Sequence, residues 1–368
     1  MDAGALSGIS GNTLFVSEYS LFDKSFREEN VKILFTLVTE IVTRINSNSI
    51  FYSNFHEGLT GILIALSNLN KQWHFFKKSD LNTLIKPLQE RSLSETISGN
   101  CDILHGGLGF LVYLIENPDT PQWKILIDQQ LTALDQISED ISCDYRKWKI
   151  SERFLKIPQQ SVDPEGTNFG LAHGLTGIVI LNCKLRKLGF NHPLIFDNIK
   201  KGMNYILSHK LTTESISLYP GAILHGIPLK DARLAWCNGD LCVALAALHT
   251  YEATLDSIYL FKAIEIAQHA ANINYQDSYV QGSGVCHGST GLSYIFHEIY
   301  KRTGHISARS AAEKWLKISL SELKEMVRVD NNINHDFSLL NGLTGVGLAY
   351  ISVLKKNSTK WSSMLLIE

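Results

Sequence analysis

Ala172-His173-Gly174-Leu175-Thr176-Gly177-Ile178-Val179-Ile180-Leu181 is a Gly-x-x-Gly step that runs straight into an apolar segment. The step returns along the chain as Gly58-Leu59-Thr60-Gly61-Ile62, Gly106-Gly107-Leu108-Gly109-Phe110, Gly288-Ser289-Thr290-Gly291-Leu292 and Gly342-Leu343-Thr344-Gly345-Val346. An imperfect copy is Gly239-Asp240-Leu241-Cys242-Val243. The first glycines, at 58, 106, 174, 239, 288 and 342, stand 48, 68, 65, 49 and 54 residues apart. A unit of that size holds two helices and their loops, so the recurrence predicts a helical-repeat array. One copy alone would read as a tight turn; copies in register do not.

Between Gly174 and Leu185 apolar residues lie nearly all round the helix, which assigns it to an interior. Amphipathic segments alternate with these. Val31, Leu34, Phe35, Val38, Ile41, Val42 and Ile45 recur at helical spacing, with Lys32, Thr36, Glu40 and Arg44 facing away. Ile195, Ile199, Met203 and Ile206 repeat the pattern behind Pro193. The chain reads as an all-α, double-layered structure of inner apolar helices ringed by outer amphipathic ones. Inner helices this apolar favour closure into an α/α toroid, because a closed ring buries them on every side. Glycine at each step lets the helix N-termini crowd together at one mouth of that ring. Residues 1–368 are expected to form one such domain.

The 34 Lys+Arg against 36 Asp+Glu give a formal net charge of -2, which supplies no electrostatic footprint for nucleic acid. A 45% hydrophobic and 19% charged composition excludes a mostly disordered chain. No run reaches the roughly 18 apolar residues of a membrane span. Met1-Asp2-Ala3-Gly4-Ala5 lacks a basic region with an apolar stretch behind it, so a cytoplasmic protein with reduced thiols is expected. Six cysteines there serve as packing groups, nucleophiles or metal ligands.

Two long non-helical stretches, about 143–172 with the turn signal Asp163-Pro164-Glu165-Gly166, and about 211–236, lead into the chemistry-bearing residues. Cys237 and the adjacent Cys286-His287 fall at one phase of the repeat, just ahead of an inner helix. In a closed ring they converge on one mouth. Two thiolates and an imidazole suit tetrahedral Zn²⁺, and three protein ligands leave a fourth position open. His173, Asp102 and Arg233 share that phase. Cys183 and Cys242 lie inside inner helices and read as structural, as do Cys101 and Cys143. His249, His269 and His297 read as packing or surface imidazoles, while His56, His105 and His225 remain without a role.

On Ala172-His173-Gly174-Leu175-Thr176-Gly177, Arg233-Leu234-Ala235-Trp236-Cys237-Asn238-Gly239-Asp240 and Cys286-His287-Gly288, in this order, the chain resembles the lanthionine synthetase C-like family, the lanthipeptide cyclases. The resemblance implies a toroid of seven inner and seven outer helices. The recurring step locates six inner helices and leaves the seventh unassigned. By resemblance Cys237, Cys286 and His287 bind one zinc ion, and His173, Arg233 and Asp102 match the other active-site positions. The family has an aromatic residue after the first zinc cysteine in many members, where this chain has Asn238.

The implied reaction is addition of a peptide cysteine thiol to dehydroalanine or dehydrobutyrine, which closes a (methyl)lanthionine ring. The implied partners are a dehydrated precursor peptide and a lanthipeptide dehydratase. A free thiol has a pKa near 8.5, so deprotonation by zinc would supply the nucleophile. His173 suits the role of general acid toward the enolate, with Asp102 orienting it and Arg233 stabilising the enolate oxygen or holding the peptide. A zinc protein acting on a small thiol such as glutathione is the alternative within the family. An α/α-toroid glycosidase would show paired carboxylates at the mouth, where this chain has Cys and His.

Overall fold

The structure is a computed structural model, and it describes residues 2–47, 50, 52–150, 166–212, 215–329, 335–355 and 361–368. The inner helices are α1 (Ile9–Phe22), α3 (Leu59–Trp73), α6 (Gly109–Glu116), α8 (Leu175–Lys187), α10 (Asp240–Thr254), α12 (Ser289–Thr303) and α14 (Leu343–Lys355). The outer helices are α2 (Arg27–Asn46), α5 (Ile85–Ile97), α7 (Trp123–Gln136), α9 (Pro193–Ser208), α11 (Ser257–Asn272) and α13 (Ile306–Val329). Two short α-helices, α4 (Lys78–Asn82) and α15 (Trp361–Met364), and a 3-10 turn over Lys24–Phe26 complete the helical set among the described residues. Each inner helix packs against the next, and α14 packs against α1, so the ring closes.

The inner helix that the recurring step did not locate is α1. Its own step is Gly8-Ile9-Ser10-Gly11. Its step escapes the pattern because Asn12 and Thr13 follow the second glycine, where the other copies have an apolar residue, and Ser10, Thr13, Ser17 and Ser20 all sit buried on the helix. Their hydroxyls are satisfied locally or by neighbours. Ser10 donates to the Ala3 carbonyl at 2.5 Å, Thr13 to Ser10 at 2.7 Å, Ser20 to Val16 at 2.6 Å, and Ser17 to Gln72 at 2.7 Å. A hydroxyl satisfied in this way removes most of the penalty for burial.

Closure is written in the backbone at one mouth. Counting back two residues from the first glycine of each step gives Leu6, His56, Leu104, Ala172, Cys237, Cys286 and Leu340. Their carbonyls each accept an N–H from the preceding loop. Leu6 N–H donates to His56 O at 3.1 Å, His56 to Leu104 O at 2.9 Å, Ile103 to Ala172 O at 3.1 Å, and Leu171 to Cys237 O at 3.0 Å. Trp236 then donates to Cys286 O at 2.9 Å, Cys286 to Leu340 O at 2.8 Å, and Leu340 to Leu6 O at 3.2 Å, which completes the circle. Each loop thereby pairs a buried backbone group that would otherwise be left without a partner.

The glycines permit this approach. A Cβ on Gly177 would lie 2.1 Å from the carbonyl oxygen of Leu171 in its own loop and 2.4 Å from Ile103 in the neighbouring one. Crowding of the helix starts at the mouth is thus the reason for the step, as its spacing implied. Cys242 stands where other copies have the second glycine. Its thiol is fully buried and donates to the Trp236 carbonyl at 2.9 Å.

The outer layer follows its amphipathic pattern. Ile195, Ile199, Met203 and Ile206 of α9 are buried, as are Leu34, Val38 and Ile41 of α2. Phe35 departs from the expected face: it turns outward, 63% exposed. Short strands occupy the two long loops. β1 (Ser138–Asp140) pairs antiparallel with β2 (Arg146–Trp148), and β3 (Thr167–Asn168), β4 (Ala222–Leu224) and β5 (Ile227–Leu229) form a second sheet. The turn residues Asp163, Pro164 and Glu165 lie outside the described residues. None of the described helices is long and apolar enough to cross a membrane.

Candidate functional site

The circle of loop contacts decides where the chemistry falls. Cys237 and Cys286 hold the same position in consecutive repeats, so the circle makes them neighbours across 49 residues of sequence. Their thiols are hydrogen-bonded. The Cys286 thiol, acting as donor, holds the Cys237 thiol down at about 7 against its burial, and the charges of His173 and Arg233 act in the same direction. Cys286 itself is pushed well above the ordinary thiol range by that bond and by burial.

His105, His173 and His287 occupy one further shared position, directly before the first glycine of their steps. His173 Nδ1 lies 2.6 Å from Asp102 Oδ2. The other carboxylate oxygen of Asp102 accepts the N–H groups of Leu104 at 2.7 Å and His105 at 2.9 Å. Asp102 is 2% exposed. Burial alone would raise its pKa, but the bond to His173 and the backbone donors outweigh that, and the carboxyl stays below its usual range.

The His105 ring stacks on His173 with centroids 5.9 Å apart and planes 7° from parallel, and it meets His56 on the way round at 4.9 Å. His105 is therefore a direct neighbour of the His173–Asp102 pair, and His56 is the next ring along, although their sequence positions alone assign them no role. Their repeat positions, shared with Cys237 and with His173, were the available signal. His225 instead lies exposed between β4 and β5, with φ +49°. His249 is fully buried in α10, as a packing imidazole would be.

Arg233 is half-buried, and its charge acts on Cys237, Cys286 and His287 together. Its position is set by Gly239, whose φ of +89° turns the chain so tightly that a Cβ would lie 2.0 Å from the Arg233 carbonyl oxygen. Asp240 fixes the long loop before Arg233 by accepting the N–H groups of Leu218 at 2.9 Å and Tyr219 at 3.0 Å. A polar cavity of about 410 Å³ lies beside His105, lined also by Tyr52, Ser53, Asn54, Arg91, Glu95 and Gly106.

All six residues singled out from the sequence thus come from loops at one mouth of the ring. The two cysteines pair, Asp102 pairs with His173, and Arg233 acts on both cysteines. His287 follows Cys286 directly, yet among the described residues no three His, Cys, Asp or Glu side chains stand together as a metal-holding group. The donor chemistry nevertheless suits a thiophilic divalent ion: two paired sulfurs, one of them easily deprotonated, with an imidazole next in the chain.

The family model described as lanthionine synthetase C-like protein matches residues 1–366. The chain belongs to the lanthionine synthetase C-like family. Among solved structures this family member is similar to one titled nisin cyclase, with a TM-score of 0.78 and 18% identity, over 100% of this chain and 92% of that one. That likeness establishes the α/α toroid. Among curated proteins it is similar to a Danio rerio protein named glutathione S-transferase LANCL1, 25% identical over 206 residues. The match covers 55% of this chain and 47% of that protein, so the chain spans about half the length of the curated relative it matches.

Proposed function

We propose that the protein is a zinc-dependent lanthipeptide cyclase. It joins peptide cysteine thiols to dehydroalanine or dehydrobutyrine and forms (methyl)lanthionine rings. The observation that carries this reading is the pairing of the Cys237 and Cys286 thiols at the mouth that also holds the His173–Asp102 pair. A thiol site beside a buried acid–base pair fits C–S bond formation and fits hydrolysis of sugars poorly.

Cys237, Cys286 and His287 would hold one zinc ion. The chemistry that zinc supplies when bound is deprotonation of an incoming thiol at neutral pH. The substrate sulfur adds to the β-carbon of the dehydro residue, and the π pair moves onto the α-carbon and its carbonyl as an enolate. Arg233 faces that developing charge. Asp102 holds Nδ1 of His173, so Nε2 on the far side of the ring delivers the proton to the α-carbon and ends the step. The substrate is a dehydrated precursor peptide, with a lanthipeptide dehydratase as the enzyme that supplies it. The cytoplasm is the compartment in which these thiols stay reduced.

The test is incubation of the zinc-loaded protein with a dehydrated, cysteine-containing peptide, followed by thiol alkylation and mass analysis. Cyclisation leaves the peptide mass unchanged and removes one alkylatable thiol per ring. A peptide whose thiols all remain alkylatable overturns the reading. The name of the Danio rerio relative, a glutathione S-transferase, favours a second one, conjugation of a small thiol of the glutathione type. Including glutathione separates the two, since a glutathione adduct adds mass to the peptide where a ring does not.

A further inference from the structure

Residues 361–368 fill the centre of the ring. Trp361 Nε1 donates to Ser352 Oγ of α14 at 2.8 Å. Ser363 Oγ bridges two other inner helices: it accepts from Lys184 Nζ of α8 at 3.0 Å and donates to Glu116 Oε1 of α6 at 2.6 Å. Tyr294 of α12 is hydrogen-bonded to Ser362 Oγ at 3.1 Å, and Arg302 Nη1 of the same helix donates to the Ile367 carbonyl at 3.0 Å. Met364, Leu365, Leu366 and Ile367 are at most 1% exposed. A segment of eight residues reaches α6, α8, α12 and α14 at once only from the lumen they enclose.

From there the segment touches the candidate metal centre. The Leu365 carbonyl accepts the indole Nε1–H of Trp236 at 2.8 Å. Trp236 directly precedes Cys237, and its backbone N–H donates to the Cys286 carbonyl at 2.9 Å. One buried residue is therefore bonded to the lumen segment and to the backbone of both cysteines. The equivalent residues of the other six loops are Ala5, Phe55, Ile103, Leu171, Val285 and Leu339, and none has a side-chain donor. An indole occurs at this position in the loop that carries Cys237, and the lumen segment supplies its acceptor.

We infer that residues 361–368, through the Leu365 carbonyl and the Trp236 indole, preset Cys237 against Cys286 for metal capture. Trp236 is thus a positioning residue. This rests on the reading of Cys237 and Cys286 as metal ligands. A hydrogen bond that fixes the setting of a ligand typically alters metal affinity by 10–100-fold when lost.

The test uses the 368-residue chain, stripped of metal and titrated with Co²⁺ alone. Affinity is read by chelator competition and geometry by the thiolate-to-cobalt absorption bands. Trp236→Phe keeps an aromatic ring but loses the donor, and should bind Co²⁺ about tenfold more weakly or worse, with shifted bands. Ser363→Ala loosens the segment far from the cysteines and should move affinity the same way by less. Ile199→Ala, in the outer helix α9, lowers stability without touching this path and should bind as the wild type does. Wild-type affinity and bands in both Trp236→Phe and Ser363→Ala overturn the inference while the ligand reading stands. Should Trp236→Phe fail to fold, unchanged affinity in Ser363→Ala overturns it alone. A wild-type chain that takes up no Co²⁺ overturns the ligand reading itself.

Discussion

Nδ1 of His173 and Oδ2 of Asp102 lie 2.6 Å apart although 71 residues separate them in sequence. Two backbone N–H groups grip the second carboxylate oxygen, so Asp102 has one orientation in which to hold the imidazole. Asp102→Asn keeps the shape and exchanges an acceptor for an amide. We expect the cyclisation rate to fall by about 10²–10⁴, the range that acid–base groups supply, with bound zinc unchanged. Steady-state kinetics with parallel metal analysis checks this, and a wild-type rate removes the pair from the mechanism.

The same carboxyl carries a pH signature. Its folded pKa is lowered from the ordinary 3.8. A depressed carboxyl adds stability above its unfolded pKa, and that stability is lost as pH falls through the folded value. The stability difference between wild type and Asp102→Asn should therefore be full at neutral pH and shrink below about pH 4. Urea unfolding at several pH values measures it; a difference that persists undiminished in acid contradicts the expectation.

Lys184 gives a slope of the same sign, but in the alkaline range. Burial pushes its ammonium down to about 8 in the folded chain, against an ordinary 10.5. Between those values the unfolded chain binds more protons, so this residue makes stability rise with pH. The gain is on the order of 3 kcal/mol across that window at most. Lys184→Met should flatten the rise, as seen by comparing denaturant midpoints of the two proteins at pH 7.5 and 10. Parallel pH dependences would refute the assignment.

Gly291 and Gly189 separate crowding from conformation. A Cβ on Gly291 would lie 1.9 Å from the Val285 carbonyl oxygen, inside the loop that carries Cys286. Gly189 has φ +78° with nothing within 4 Å of its Cβ position. Gly189→Ala should lose about 1–2 kcal/mol, the left-handed penalty for a residue with a side chain. Gly291→Ala should lose more than that, because the clash is with backbone and the circle of loop contacts must open. Thermal unfolding ranks the two, and equal losses would show that the mouth yields easily.

The cysteines differ in reactivity for reasons of place. Burial raises Cys101 and Cys183 to about 12 and Cys242 well beyond the ordinary range, whereas Cys237 is held at about 7. Brief iodoacetamide treatment of the metal-free protein at pH 7.5 should label Cys237 and the exposed Cys143, and leave Cys101, Cys183 and Cys242 intact. Peptide mapping decides it, and early labelling of Cys242 would count against the site geometry.

The toroid was legible wherever an apolar residue followed the Gly-x-x-Gly step directly. Gly174 to Leu185 and the steps like it gave the period, the two layers and the phase at which Cys237, Cys286, His287 and His173 stand. Helix α1 was hidden because Asn12 and Thr13 follow the second glycine of its step in place of an apolar residue, and its buried serines and threonine are accommodated by partners that only the folded chain supplies. His105 and His56 were visible as residues but not as neighbours of His173, since stacking depends on how far each loop is drawn toward the next. Local sequence fixes spacing along one helix at a time. Which loops touch, that Cys237 meets Cys286, and that residues 361–368 enter the lumen to meet Trp236 are consequences of ring closure, a sum of contacts between segments far apart in the chain.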